Sequence, residues 1–129
     1  MIYNLAKYID DNTTIDLITN GYNPATEGDG VNIILSGGSD DSRGLKIDDN
    51  VQFLSRSTDQ VTAYELIREV FDLLKNRFKI LLPEVTVKNK VYPAVEVSQM
   101  LPRQTPGYIG TNNNGLHQWS VNFQITTEE

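Results

Sequence analysis

The sequence predicts an α+β fold, a mixed and mostly antiparallel β-sheet with two helices packed on one face. Three observations carry that expectation. Tyr64, Ile67, Phe71, Leu74 and Phe78 recur at steps of three and four, the spacing that stacks side chains along one side of a helix. Trp119, Val121, Phe123 and Ile125 alternate with Ser120, Asn122, Gln124 and Thr126, the period of a strand with one buried face. The order is a helix, about three strands, a second helix and then about three or four strands, without the regular strand–helix alternation of a parallel sheet.

The elements follow in order. Residues 2 to 11 form a short helix with Ile2, Leu5, Ala6 and Ile9 on one side. Thr14 to Ile18 is a strand closed by the turn pairs Asn20-Gly21 and Asn23-Pro24. A polar stretch from Ala25 to Gly30 leads into Val31 to Leu35, a strand rich in β-branched residues. Ser36 to Gly44 has no apolar anchor and reads as a mobile loop. Val51 to Arg56 is extended, and Ser57-Thr-Asp59 breaks it before the long helix. Either Asp59 is the N-cap of that helix or Thr62 is, in a capping box with Glu65. Glu65, Arg68, Asp72, Lys75 and Asn76 take its wet side, and Lys75, Arg77 and Lys79 meet the dipole at its end.

After Pro83 the period changes to two. Val85 and Val87 alternate with polar residues, Lys88-Asn-Lys90 is a tight turn, and Val91 resumes the strand. Val95 and Val97 share a face opposite Glu96 and Ser98. Pro102 to Gly110 reads as a loop, and Thr111 to Gly115 as a turn whose Asn-Gly end suits positive φ.

Composition bounds the function. The 129 residues predict one domain over 1–129, large enough to bury roughly two-thirds of its unfolded surface. A net charge of −6 with scattered Lys and Arg argues against a nucleic-acid reader, which needs clustered cations for phosphate. The absence of cysteine excludes disulfides, thiol catalysis and Cys-based zinc sites. The opening residues lack the basic and apolar regions of a signal peptide, and no apolar run approaches a membrane span. The expectation is a soluble protein, made and used inside a cell.

No catalytic, cofactor-binding or metal-ligating set emerges. The Gly/Ser segment lacks the Gly-Lys-Ser/Thr ending of a phosphate loop, and its carboxylates would repel phosphate. Asp10-Asp11, Asp40-Asp41 and Asp48-Asp49 do not have the alternate spacing, Gly and closing Glu of a calcium loop. His117 is the only histidine, there is no Gly-x-Ser-x-Gly elbow, and its parity puts it beside Trp119 on the last strand. The candidate site is therefore an assembly contact on the mobile segment: Ser36, Gly37, Gly38, Asp40, Asp41, Arg43 and Gly44.

The run from Val51 to Arg56, the polar break, the helix with Ala63 near its start, and the Pro-led strands ending in Gly110 to Gly115 and then Trp119 to Phe123 resemble the tail terminators and minor capsid (head–tail joining) proteins of long-tailed bacteriophages. The resemblance spans about residues 28 to 126 and rests on pattern; Thr111 to Leu116 lacks the Asp and Gly-Arg that such a turn usually contains. It implies a structural role in the virion: a homo-oligomeric ring, a hexamer, that caps the tail-tube protein, meets a head–tail connector protein, and lets DNA pass without specific contact. It implies assembly in the bacterial host cytoplasm, with no cofactor and no membrane partner. A head-closure or neck connector protein is the neighbouring alternative. A small α+β enzyme or ligand-binding protein is the alternative from another class.

Overall fold

The computed structural model describes residues 1–13, 15, 17–18, 29–40 and 46–128. Two helices, α1 (Ile2–Asn12) and α2 (Gln60–Leu74), lie among nine strands. The strands are β1 (Leu17–Ile18), β2 (Gly30–Asp40), β3 (Lys46–Ser57), β4 (Arg77–Leu82), β5 (Val85–Val87), β6 (Lys90–Tyr92), β7 (Val95–Pro102), β8 (Gly107–Thr111) and β9 (His117–Glu128). Seven of them form one sheet in the order β1-β2-β3-β9-β7-β4, with β8 also paired to β9. Only β1–β2 is parallel, so the sheet is mixed and mostly antiparallel as expected.

The last strand in sequence is the middle of the sheet. β9 pairs with β3 from His117 opposite Ser57 to Glu128 opposite Lys46. Its other edge is shared: β7 takes Phe123 to Thr127, and β8 takes His117 to Ser120. The alternation predicted for β9 holds from Val121 to Ile125, with Val121, Phe123 and Ile125 fully buried, and ends there, since Thr126, expected on the wet side, is buried too. Val51 and Phe53 of β3, Val31 and Ile33 of β2, and Val97 and Met100 of β7 continue that face. Both helices cover it. Ile67, Val70, Phe71 and Leu74 of α2 and Leu5 and Ile9 of α1 belong to the same apolar cluster. The helix α1 touches β2 near one end of the sheet and β4 at the other, so the sheet curls around it.

Local chemistry fixes the joints. Asp59 is the N-cap of α2, its carboxylate accepting from the Val61 N–H (3.3 Å) and the Thr62 hydroxyl (2.9 Å). The Ser55 hydroxyl donates to the Ala63 carbonyl (2.7 Å) and so ties α2 to β3. Lys88 and Asn89 take φ of 51° and 66°, the two positive values that a two-residue hairpin between β5 and β6 requires. Asn4 is buried, and its Nδ2 donates to the carbonyls of Pro83 (2.9 Å), Pro93 (2.9 Å) and Tyr92 (3.3 Å), stapling α1 to the base of that hairpin.

Several expectations need correction. The long helix stops at Leu74, because Asn76 turns into the left-handed region (φ 53°) and the chain leaves as β4. Phe78 is therefore on a strand, and 58% exposed, not on the helix core face. Of the three cations assigned to the helix end, Arg77 does donate to the Leu73 carbonyl (2.9 Å) and Lys75 pairs with Asp72 (3.3 Å), whereas Lys79 lies on β4. Pro102 to Gly110 is not all loop: Gly107 onward is β8, which the final strand recruits. Ser36 to Asp40 is also strand, the distal part of β2, paired with β3 across a bulge between Leu35 and Gly38.

Candidate assembly surface

A strand at a sheet edge carries unpaired backbone groups on one side, so each edge must be covered, blunted or used. Among the described residues this sheet has three such stretches. The outer side of β2 is paired only by Leu17 and Ile18, opposite Val31 and Asn32, which leaves Ile33 to Asp40 open. At the other side of the sheet, β4 pairs only with β7, and β8 only with β9.

The three edges differ in chemistry. β4 carries Arg77 and Lys79, and Lys79 takes a φ of 55°, so charge and a backbone irregularity blunt it. β8 is Gly107-Tyr-Ile-Gly-Thr111, with no charge and no proline. Its bulge between Tyr108 and Gly110 leaves Ile109 55% exposed, and a Cβ added at Gly107 or Gly110 would meet nothing within 4 Å. Along β2, Leu35 is 52% exposed, although its partner Val51 is fully buried.

Beside β8 lies an apolar groove of about 280 Å³ lined by Gln60, Val61, Tyr64 and Trp119. The first turn of α2 supplies one wall and the start of β9 the other. Aromatic rings build its floor: Tyr64 meets Trp119 edge-on at 4.8 Å, and Tyr108 of β8 stacks at a tilt on Trp119 at 5.3 Å. The buried Trp119 Nε1 has no acceptor among the described residues. His117 is half-buried and shares a hydrogen bond with the Tyr108 hydroxyl (2.8 Å through Nδ1). Charge is uneven around this region. Residues 97 to 127 contain no carboxylate at all, and hold Arg103 and His117. Arg103 crosses the helix-free face of the sheet, donating to Asn50 Oδ1 (2.9 Å from Nη2) and Gln124 Oε1 (3.4 Å).

The segment singled out in the sequence is only partly in view. Ser36, Gly37, Gly38 and Asp40 belong to the open edge of β2, where Gly37 adopts a φ of 98° that favours glycine. Asp41, Arg43 and Gly44 lie outside the described residues. The structure does not bring Ser36 to Asp40 to the aromatic groove, since β2 and β8 are on opposite sides of the sheet. Sequence reading missed the groove because Tyr64 and Trp119 both fit core periodicities. Val61, an apolar residue in the first turn on the wet side of α2, and the uncharged run of β8 were the available signals.

Two of the acid pairs, Asp10-Asp11 and Asp48-Asp49, lie among the described residues, the first in α1 and the second in β3. Asp11 accepts from Lys7 (2.9 Å) and Asp48 from the Thr126 hydroxyl. Burial pushes the Asp49 carboxyl above its usual range, with Asp48 adding to the rise and the Met1 amine opposing it. Among the described residues no three His, Cys, Asp or Glu side chains are grouped to hold a metal ion.

A mostly antiparallel sheet with two helices on one face makes this an α+β protein. A family model described as "Bacteriophage tail terminator protein" matches residues 4–129, and the chain belongs to that family. Its resemblance to tail terminators, carried in the sequence by Val51 to Arg56 and by the terminal strand, is thereby established over nearly the whole chain. A search of curated proteins finds no match. The family is structural, and a tail protein is a component of the virion. No helix among the described residues is long and apolar enough to cross a membrane.

Proposed function

We propose that this chain assembles into a ring of identical copies, six in number as the resemblance implies, which caps the tail tube and joins it to the head–tail connector. The observation that carries the reading is the pair of unlike open edges, β2 on one side of the sheet and β8 on the other. A contact between two different patches is head-to-tail, and a head-to-tail contact with the right rotation closes into a ring. Like edges meeting would instead stop at a dimer. The segment Ser36 to Gly44, of which Ser36 to Asp40 are part of β2, takes part in these contacts. The net charge of −6 suits a ring through which DNA slides without being held. Assembly takes place in the host cytoplasm, with no cofactor, no catalytic step and no membrane partner.

Tail assembly with and without the protein tests this, viewed by electron microscopy. With it, tails should end at one length under a ring of uniform size; without it, tubes should grow past that length. Normal tail lengths in its absence would reject the capping role.

A further inference from the structure

We infer that the β8 edge and its aromatic groove form the receiving half of the contact between copies, and that the occupant is the open edge of β2, Ile33 to Asp40, from a second copy. The inference rests on the ring proposed above and specifies its joint.

β8, five residues with a bulge between Tyr108 and Gly110, is the edge that no charge or proline guards. Natural edge strands avoid pairing through charge, proline or brevity, and β4 has its two cations and its irregular Lys79. β8 has no charge, bears exposed Ile109 and Tyr108, and leaves open space at Gly107 and Gly110 for a strand to approach. Strand addition at such an edge takes affinity from backbone hydrogen bonds and specificity from side-chain pockets beside it. The groove of Val61, Tyr64 and Trp119 is such a pocket, with one indole N–H that lacks an acceptor among the described residues. Leu35, the large apolar side chain exposed on β2, is of a size to enter it.

Charge favours this occupant over another strand. The distal half of β2 runs opposite Asp48 and Asp49 of β3, so carboxylates accompany Leu35 along this strand pair. On the receiving side, β8 and the start of β9 carry no carboxylate and hold His117, while the α2 wall of the groove is flanked by Asp59 and Glu65. Asp59, which precedes the groove residue Gln60, is already engaged by Val61 and Thr62 as the helix cap. An acidic strand end meeting the uncharged strand β8 gives direction, and each copy offers one of each.

The chain has no cysteine, so introduced thiols report a contact without background. Leu35→Cys and Ile109→Cys would be made singly and together in the full chain and treated with a short bis-maleimide under conditions where rings form. The double variant should give a ladder of covalent oligomers, an equimolar mixture of the two single variants should give a heterodimer, and each single variant alone should stay monomeric. Dimers from Ile109→Cys alone would show that like edges meet, and would overturn the inference. Rings without any cross-link would overturn it too, while leaving the ring itself in place. Cross-linking of Ile109→Cys to tail-tube protein carrying introduced surface cysteines, and not to Leu35→Cys, would overturn the inference and assign the groove to the tube. A chain that remains monomeric at every concentration and on tail tubes would reject both the joint and the ring.

Discussion

Asn4 shows how much one polar side chain does in this fold. It sits in the first turn of α1, where its neighbours Ile2 and Leu5 signal only an amphipathic helix. Its amide reaches three carbonyls about eighty to ninety residues later in the chain, at Pro83, Tyr92 and Pro93. Nothing local in the sequence announces such a role, because the partners are backbone atoms of a distant hairpin. Asn4→Ala should cost about 1–3 kcal/mol by leaving those carbonyls under-satisfied, and a urea unfolding curve would measure it. A midpoint unchanged from wild type would mean the staple carries no weight. Asp49 gives a pH-dependent counterpart. Its carboxyl is raised by burial, so the folded chain holds that proton to a higher pH than the unfolded chain. The contribution to stability is complete below the ordinary carboxylate value and is lost as pH rises through the raised one. Asp49→Asn should therefore stabilise the protein at neutral pH and leave acidic conditions nearly unaffected. Denaturation midpoints that shift equally at both pH values would contradict the assignment.

At the scale of elements, the strongly periodic pieces were legible and the edge strands were not. The core side of α2 and the alternation of β9 were visible because each buries a full stripe against the other, as Phe71 and Phe123 do at 6.2 Å between ring centres. Phe78 continued the helical spacing by coincidence; the stop signal was Asn76, a residue type that tolerates positive φ just past a helix end. β4 and β8 pair on one side only and alternate poorly, so neither period marks them. The corrected boundary makes two opposite expectations. Phe71→Ala should cost about 3–5 kcal/mol, as truncation of a buried aromatic does. Phe78→Ser should stay within about 0.5 kcal/mol, as for an exposed position. Paired chemical denaturation of the two variants checks both, and equal losses would put Phe78 back in the core.

For the whole molecule, the family resemblance was readable in the terminal strand and the helix, whereas the surface that joins copies was not. Sequence patterns record which residues are buried within one chain; a groove such as that of Val61, Tyr64 and Trp119 exists only once α2, β8 and β9 are assembled. The placement of β9 also binds the elements into one unit, because β3, β7 and β8 all pair with it. Phe123→Ala should lower stability by about 3–5 kcal/mol and keep heat unfolding as one transition in calorimetry. Two separated transitions would show that the halves of the sheet fold apart.

That central strand is the last of the described elements along the chain. A nascent chain that has cleared the ribosome only as far as β8 holds β3 and β7 with no strand between them, and neither side of the sheet can close. Such non-local pairing is slow to form and comes late. The sheet is therefore completed only once His117–Glu128 has left the ribosome, and the edges offered before that point are not those of the folded sheet.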